Sequence, residues 1–225
     1  MKKNTKYSYA PGQQFMVHGS RKYDFGEGHL PSVTTILSRT KDQSFLDRWR
    51  AKVGHDEAER IKNHSSKRGT SMHKFIENHI TDVGYDDLSD IGNEARPMAN
   101  KIIDVGLAPV TEYFGSEVSL YYPGLYAGST DLVCLHNDKE TVVDFKQANR
   151  PKRKEWIEDY FLQISAYIMA HNCMFERSQV EKGVVMICTP DLYYQEFVIE
   201  GEELQRYYWK FLERLSQYLD QNVSK

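Results

Sequence analysis

Residues 141–147 read TVVDFKQ, which sets Asp144 and Lys146 two apart at the end of an apolar run. On a β-strand, positions i and i+2 project to one face, so a carboxylate and an ammonium would sit side by side where the strand leaves the core. A second carboxylate, Asp131, closes GSTD at 128–131. If 125–136 and 140–147 form a hairpin with a tight turn at 136–139, Asp131 and Asp144, 13 residues apart, stand at equivalent depth. Buried like charges repel, and such a pair is costly unless a cation or a shared proton relieves it. A hard divalent ion, Mg²⁺ or Mn²⁺, as one or two ions, suits carboxylate oxygens, and the Phe145 carbonyl can add a neutral ligand. Asp-X-Lys alone is also what a solvated ion pair at a strand end looks like, so its meaning depends on its company.

That company comes from two helical patterns. In RGTSMHKFIENHI, 68–80, His73 and Glu77 stand i, i+4 on one face, close to Arg68. Gln163 and Tyr167 have the same spacing in a helix after the Lys146 strand. Gln163 is bordered by Ile164, Ala166 and Ile168, a setting in which a polar side chain faces a site rather than bulk water. Taken singly, His73 reads as an ordinary helical histidine, and Gln163 and Tyr167 as surface or hydrogen-bonded core residues.

The elements that must position these residues follow from periodicity. The first thirty residues are polar and aromatic without sustained period, and are expected to be irregular, with a short hairpin around His18-Gly19. VTTIL, 33–37, begins a short helix or turn. A helix is expected through 43–63, interrupted or bent near Gly54, and a second from Thr70 as N-cap through 80. A third is expected at 94–106. The period then switches to β-branched and aromatic runs at 112–122, 125–136 and 140–147, separated by Pro-Gly and Asn-Asp turn signals. These predict an antiparallel meander. A helix at 152–172, strands near 180–189 and 192–199, and a helix over 201–220 complete the order. The expected architecture is α/β, a mixed central sheet flanked by helices, with the strand after the 152–172 helix inside the sheet.

Composition bounds the class. With 225 residues, 40% hydrophobic and 27% charged, the chain is expected to form one packed domain, with 1–65 as an N-terminal extension. Residues 1–30 lack an apolar signal core, and no stretch approaches the roughly 20 apolar residues that span a bilayer, so the expectation is an intracellular, cytoplasmic protein without membrane contact. Cys134, Cys173 and Cys188 have no CxxC or Cys/His ligand spacing, which argues against disulfides, structural zinc and iron-sulfur clusters. A net charge of −3 gives no global case for nucleic-acid binding, which would need a local basic surface. SSKRGT at 65–70 and NRPKRKEW at 149–156 are candidates, and either can equally be a solvated loop.

The order helical His/Glu, Glu117, GxxD, DxK and helical QxxxY resembles the RecB-like branch of the PD-(D/E)XK nucleases. The residues carrying it are Arg68-Gly69-Thr70, His73, Glu77, Glu117, Gly128 to Asp131, Asp144 to Lys146, and Gln163 with Tyr167. VTTIL and the Trp49 region are similar to the genome-maintenance and phage-type exonucleases of that branch. The resemblance covers about residues 31–190 and implies a restriction-endonuclease-like core.

It also implies roles. Asp131 and Asp144 would be metal ligands, with His73 as a further ligand. Lys146 would orient or deprotonate the attacking water, its pKa depressed by the nearby metal. Gln163 and Tyr167 would position the site and the DNA strand. Arg68, Thr70, Arg150, Lys152, Arg153 and Lys154 would meet DNA, and Trp156 and Tyr160 could stack bases, although Trp156 can equally be core. Two departures stand out: family members often have Glu at the place of Asp144, and Ser or Thr at that of Gln147. The implied activity is a Mg²⁺-dependent DNA exonuclease acting in recombination, replication or DNA breakdown. Its DNA would be single-stranded or single-stranded at the end, and a single-strand-annealing or replication protein is an expected partner. An endonuclease on the same fold and a non-catalytic DNA-binding accessory protein are the alternatives, and the 43–63 helix is a candidate gate.

Overall fold

The computed structural model describes residues 1–225 except Glu27, Gln179, Ser224 and Lys225, and except the side chains of Phe45, Asn222 and Val223. At the N-terminus, β1 (Lys2–Lys3) precedes a small antiparallel sheet of β2 (Gln13–Val17), β3 (Ser20–Asp24) and β4 (His29–Pro31). The hairpin turns at His18-Gly19, both at positive φ, with Val17 paired to Ser20. That left-handed pair matches the twist of the strands.

Helix α1 (Val33–Thr40) starts at Ser32, whose side chain accepts from the Thr35 N–H at 3.0 Å. Then come α2 (Ser44–Val53) and α3 (His55–Thr81), separated by Gly54 at φ 87. Of the expected interruption or bend at Gly54, the structure has the interruption, in a conformation open to a residue without Cβ. The expected start at Thr70 is corrected: α3 runs unbroken through Gly69 and Thr70, and the Thr70 hydroxyl bonds back to the Ser66 carbonyl at 3.1 Å. Arg68 explains the continuity, because its guanidinium ties this stretch of α3 to Gln147 and Asn149.

α4 (Asp90–Lys101) starts four residues earlier than expected, capped by Ser89, and continues as a π-helical turn over Ile102–Gly106. β5 (Val110–Tyr122), β6 (Tyr126–His136) and β7 (Lys139–Gln147) form the expected meander. Asn137 and Asp138, both at positive φ, make its second turn. The segment from Lys152 does not enter a helix at once. Its backbone is held by Gln195 through paired 2.7 and 2.8 Å bonds, so α5 is delayed to Glu158–Met174. β8 (Lys182–Cys188) then pairs parallel with β7, β9 (Tyr194–Glu200) antiparallel with β8, and α6 (Gly201–Val223) closes the chain.

The main sheet has order β1-β5-β6-β7-β8-β9, mixed, with β8 inside it as expected. Alternation along its strands sends Val133, Val142 and Val185 to one side, against Ile36, Phe161, Ile164 and Phe211 of α1, α5 and α6. Leu132, Val143 and Met186 face the other way, against Met72, Ile76, Met98 and Ile102. This mixed α/β arrangement is consistent with a restriction-endonuclease-like core. Among the described residues, no helix is long and apolar enough to cross a membrane.

Candidate active site

Pairing between β6 and β7 ends at Leu132 opposite Val143, and one further step sets Asp131 opposite Asp144. Here the strands part, and the Phe145 N–H donates to Asp131 Oδ2 at 2.6 Å in place of a ladder bond. On the other side of β6, the pairs Ser116–Leu132 and Val118–Thr130 bracket Glu117 and Asp131. Glu117, Asp131 and Asp144 therefore form a row across three neighbouring strands. Glu117 has φ 51, a left-handed conformation that costs a non-glycine residue about 1–2 kcal/mol.

Helix α3 brings His73 to this row. Its Nδ1 lies 3.4 Å from Asp131 Oδ1 and 3.9 Å from Glu117 Oε1. One ligand atom each from His73, Glu117 and Asp131 fall within 4.8 Å of one another. Burial disfavours the imidazolium, yet Asp131 and Glu117 outweigh it and hold the His73 pKa at about 10. Glu77, one turn on, also lines the cleft, its carboxyl pushed up by burial and by Glu117.

Asp144 is 1% exposed. Its Oδ1 accepts from Gln163 Nε2 at 3.0 Å, and that amide also donates to the Tyr167 hydroxyl at 3.2 Å. Its Oδ2 lies 2.5 Å from Lys146 Nζ but has no donor in hydrogen-bonding alignment, so a buried oxygen keeps unused acceptor capacity. Gly128 belongs to the same assembly: a Cβ there would come within 2.5 Å of the Tyr167 ring.

Charge divides this pair of acids. Burial pushes Asp144 up to about 6 despite Lys146. Burial also acts to raise Asp131, but His73 and Lys146 pull it below the usual carboxylate range. For Lys146 the protein's own groups act in the opposite sense to the metal of the sequence expectation. Burial does favour its neutral form, but Asp144 and Asp131 overcome this and raise it, so protein charges alone keep the ammonium protonated.

A cleft of about 720 Å³ opens over these groups, with Thr70, Gln163 and Tyr167 in its wall. The basic residues expected at DNA are placed differently. Arg68 is 5% exposed, its guanidinium used on Gln147, Asn149 and Glu94, so it is a buried tie and not a surface phosphate contact. Arg150, Lys152, Arg153 and Lys154 do not line the cleft. Lys154 pairs with Glu203 at 2.7 Å, and Arg153 lies over the Trp156 ring, which is 64% exposed and not core. Phe145 is buried on the α3 side, and Tyr160 sits under Lys146, 5.2 Å from ring centre to Nζ.

Sequence reasoning did not assign three residues that the structure brings in. Glu117 joins the ligand group, and the near-equal steps from 117 to 131 to 144 were its signal. Lys74, beside His73, and Arg21 of β3 line the cleft. Arg21 has no local signal, since the small sheet that carries it is distant in sequence.

No family model matches the chain. It is 29% identical over 206 residues to mitochondrial genome maintenance exonuclease 1 of Mus musculus, covering 85% of this chain and 59% of that protein. It is 26% identical over 215 residues to the Xenopus tropicalis protein of the same name, covering 88% of this chain and 60% of that one. The chain thus spans about 60% of the length of these curated relatives. Among solved structures, SSO0001 is 19% identical at a TM-score of 0.31, covering 46% of this chain and 49% of its own, too slight a likeness to carry an argument. Both relatives carry the name of an exonuclease, and each is matched over more than four fifths of this chain.

Proposed function

We propose that this chain is a metal-dependent deoxyribonuclease of the PD-(D/E)XK type, RecB-like branch, that hydrolyses DNA from an end. The observation that carries the reading is the row Glu117, Asp131, Asp144, with His73 above it and Lys146 at its edge. The curated relatives, both called exonucleases, support the same reading.

The donor set fits a hard divalent ion. Three ligand atoms converge within 4.8 Å, and the buried Asp144 Oδ2 lacks an aligned donor. His73, Glu117, Asp131 and Asp144 would hold Mg²⁺ or Mn²⁺. When bound, such an ion lowers the pKa of a water and neutralises phosphate charge.

The chain's own residues supply the rest. The Phe145 N–H and the Gln163 amide fix the two aspartates, so the acids do not swing away from each other. Lys146, beside Asp144, orients the attacking water and stabilises the phosphate as its charge builds. Arg21 and Lys74 hold backbone phosphates in the cleft. Water attacks in line, its oxygen bonds to phosphorus and the bond to the 3′-oxygen breaks. That oxygen takes a proton, leaving a 3′-hydroxyl and a 5′-phosphate. In this reading α2 and the outer half of α3 form the gate that restricts cutting to ends.

The test is incubation with Mg²⁺ of end-labelled linear DNA, single-stranded and duplex, beside closed circular single-stranded DNA, with Lys146→Ala as control. Loss of the linear forms with the circle intact supports the exonuclease, and the label gives its polarity. Cutting of the circle makes it an endonuclease and removes the gate. Absence of metal-dependent cleavage leaves a DNA-binding protein.

A further inference from the structure

The active-site cleft has a neighbour. A second groove, of about 460 Å³, lies on the other side of α3, lined by Lys67, Ser71, Tyr85, Asp87 and Ser89. Both cavities share Ser66, Thr70 and Lys74. These three are spaced i, i+4, i+8, one stripe on α3 about 12 Å long, and so form a common crest. Gly69, His73 and Glu77 look into the cleft from it, while Lys67 and Ser71 look into the groove.

We propose that the groove is a binding track for single-stranded nucleic acid, occupied by the strand that continues from the cleft across the crest. This rests on the nuclease reading and adds to it a second binding surface, outside the cleft, for the strand.

Charge complementarity is the first argument. Lys67 and Lys74 are exposed, and among the described residues no carboxylate lies within salt-bridge reach of either. The groove's one acid, Asp87, is already engaged: Ser71 Oγ donates to it at 2.7 Å, and Ser89 Oγ at 2.6 Å and N at 3.1 Å. With two lysines against this one carboxylate, the groove's lining is net positive, as a phosphate backbone requires. The second argument is the ring. Tyr85 is braced edge-on by Phe75, with centroids 4.9 Å apart, and stays half-exposed at the groove. A braced, partly open ring stacks an unpaired base without regard to sequence, whereas a base inside a duplex has both faces stacked on its neighbours. The third is continuity, since Lys74 contributes to both cavities.

Binding of labelled single strands of about 4 and about 16 nucleotides, measured by fluorescence anisotropy with chelator present to stop cleavage, tests the track. The wild type should bind the long strand more tightly. Lys67→Ala and Tyr85→Leu should each weaken the long strand about tenfold and leave the short one unchanged. Tyr85→Phe, which keeps the ring, should bind like the wild type. Unchanged long-strand binding in both variants overturns the proposal, as does an equal loss on short and long strands. Length-dependent binding without metal-dependent cleavage would keep the track and remove the nuclease. Cleavage with no effect of either variant on binding would remove the track alone.

Discussion

Tyr167 can lie against β6 because residue 128 is a glycine; a Cβ would meet its ring at 2.5 Å. The contact reaches the chemistry through two hydrogen bonds, from Gln163 to the Tyr167 hydroxyl and to Asp144. Gly128→Ala should cost about 1–3 kcal/mol through overpacking. Because the displaced ring releases Gln163, the variant should also lose metal-dependent cleavage beyond what the unfolded fraction explains. Urea titration and single-turnover cleavage, run on the same preparation, separate the two effects.

Breaking the Asp144–Lys146 pair from one side should be worse than removing both charges. Lys146→Ala leaves a 1%-exposed carboxylate without its cation, a loss of about 3 kcal/mol. Adding Asp144→Asn should restore much of that stability while both variants stay inactive. A double-mutant cycle in urea gives the coupling directly, and equal stability of the single and double variants would refute it.

Arg68 and Arg21 should separate cleanly. Arg68→Ala removes hydrogen bonds to Gln147, Asn149 and Glu94 and should destabilise by about 2–3 kcal/mol, with the salt dependence of DNA binding unchanged. Arg21→Ala should leave stability alone and lower the slope of log K against log salt by about one phosphate contact. Nitrocellulose filter binding across a salt series distinguishes them.

His171 predicts an acid sensitivity away from the site. It is wholly buried between the Tyr9 hydroxyl at 2.9 Å and Ser178 Oγ at 2.7 Å, and burial depresses its pKa to about 4. Unfolding lets it return to about 6.5, so between those values the unfolded chain binds more protons. Its contribution is present above pH 6.5 and is lost as pH falls towards 4, a drop of about 3 kcal/mol. His171→Gln should flatten that part of the pH dependence in urea midpoints.

The meander, the parallel strand after α5 and the Asp131–Asp144 juxtaposition were legible because they rest on strand alternation and short turns, which are local properties. The His18-Gly19 hairpin was readable for the same reason. The unbroken α3 was not, because Arg-Gly-Thr reads as punctuation until Arg68 is seen tied to Gln147, 79 residues away. Nor was the delayed start of α5, which depends on Gln195 holding the Lys152 backbone. The basic run at 149–154 lies outside the cleft, whose lining takes Arg21 from the small sheet. Charge density along a chain does not report which way a surface faces.

The acids of the row come from strands joined by turns of fixed length, three residues at 123–125 and two at 137–138. Period-2 alternation means that one residue added to either turn would offset a whole strand and turn its acid towards the apolar layer. Loop length is thus a hidden part of what brings the three acids together. Asn137-Asp138, six residues and about 20 Å along β6 from Asp131, should tolerate exchange for glycine, which suits their positive φ, but not insertion of a single residue.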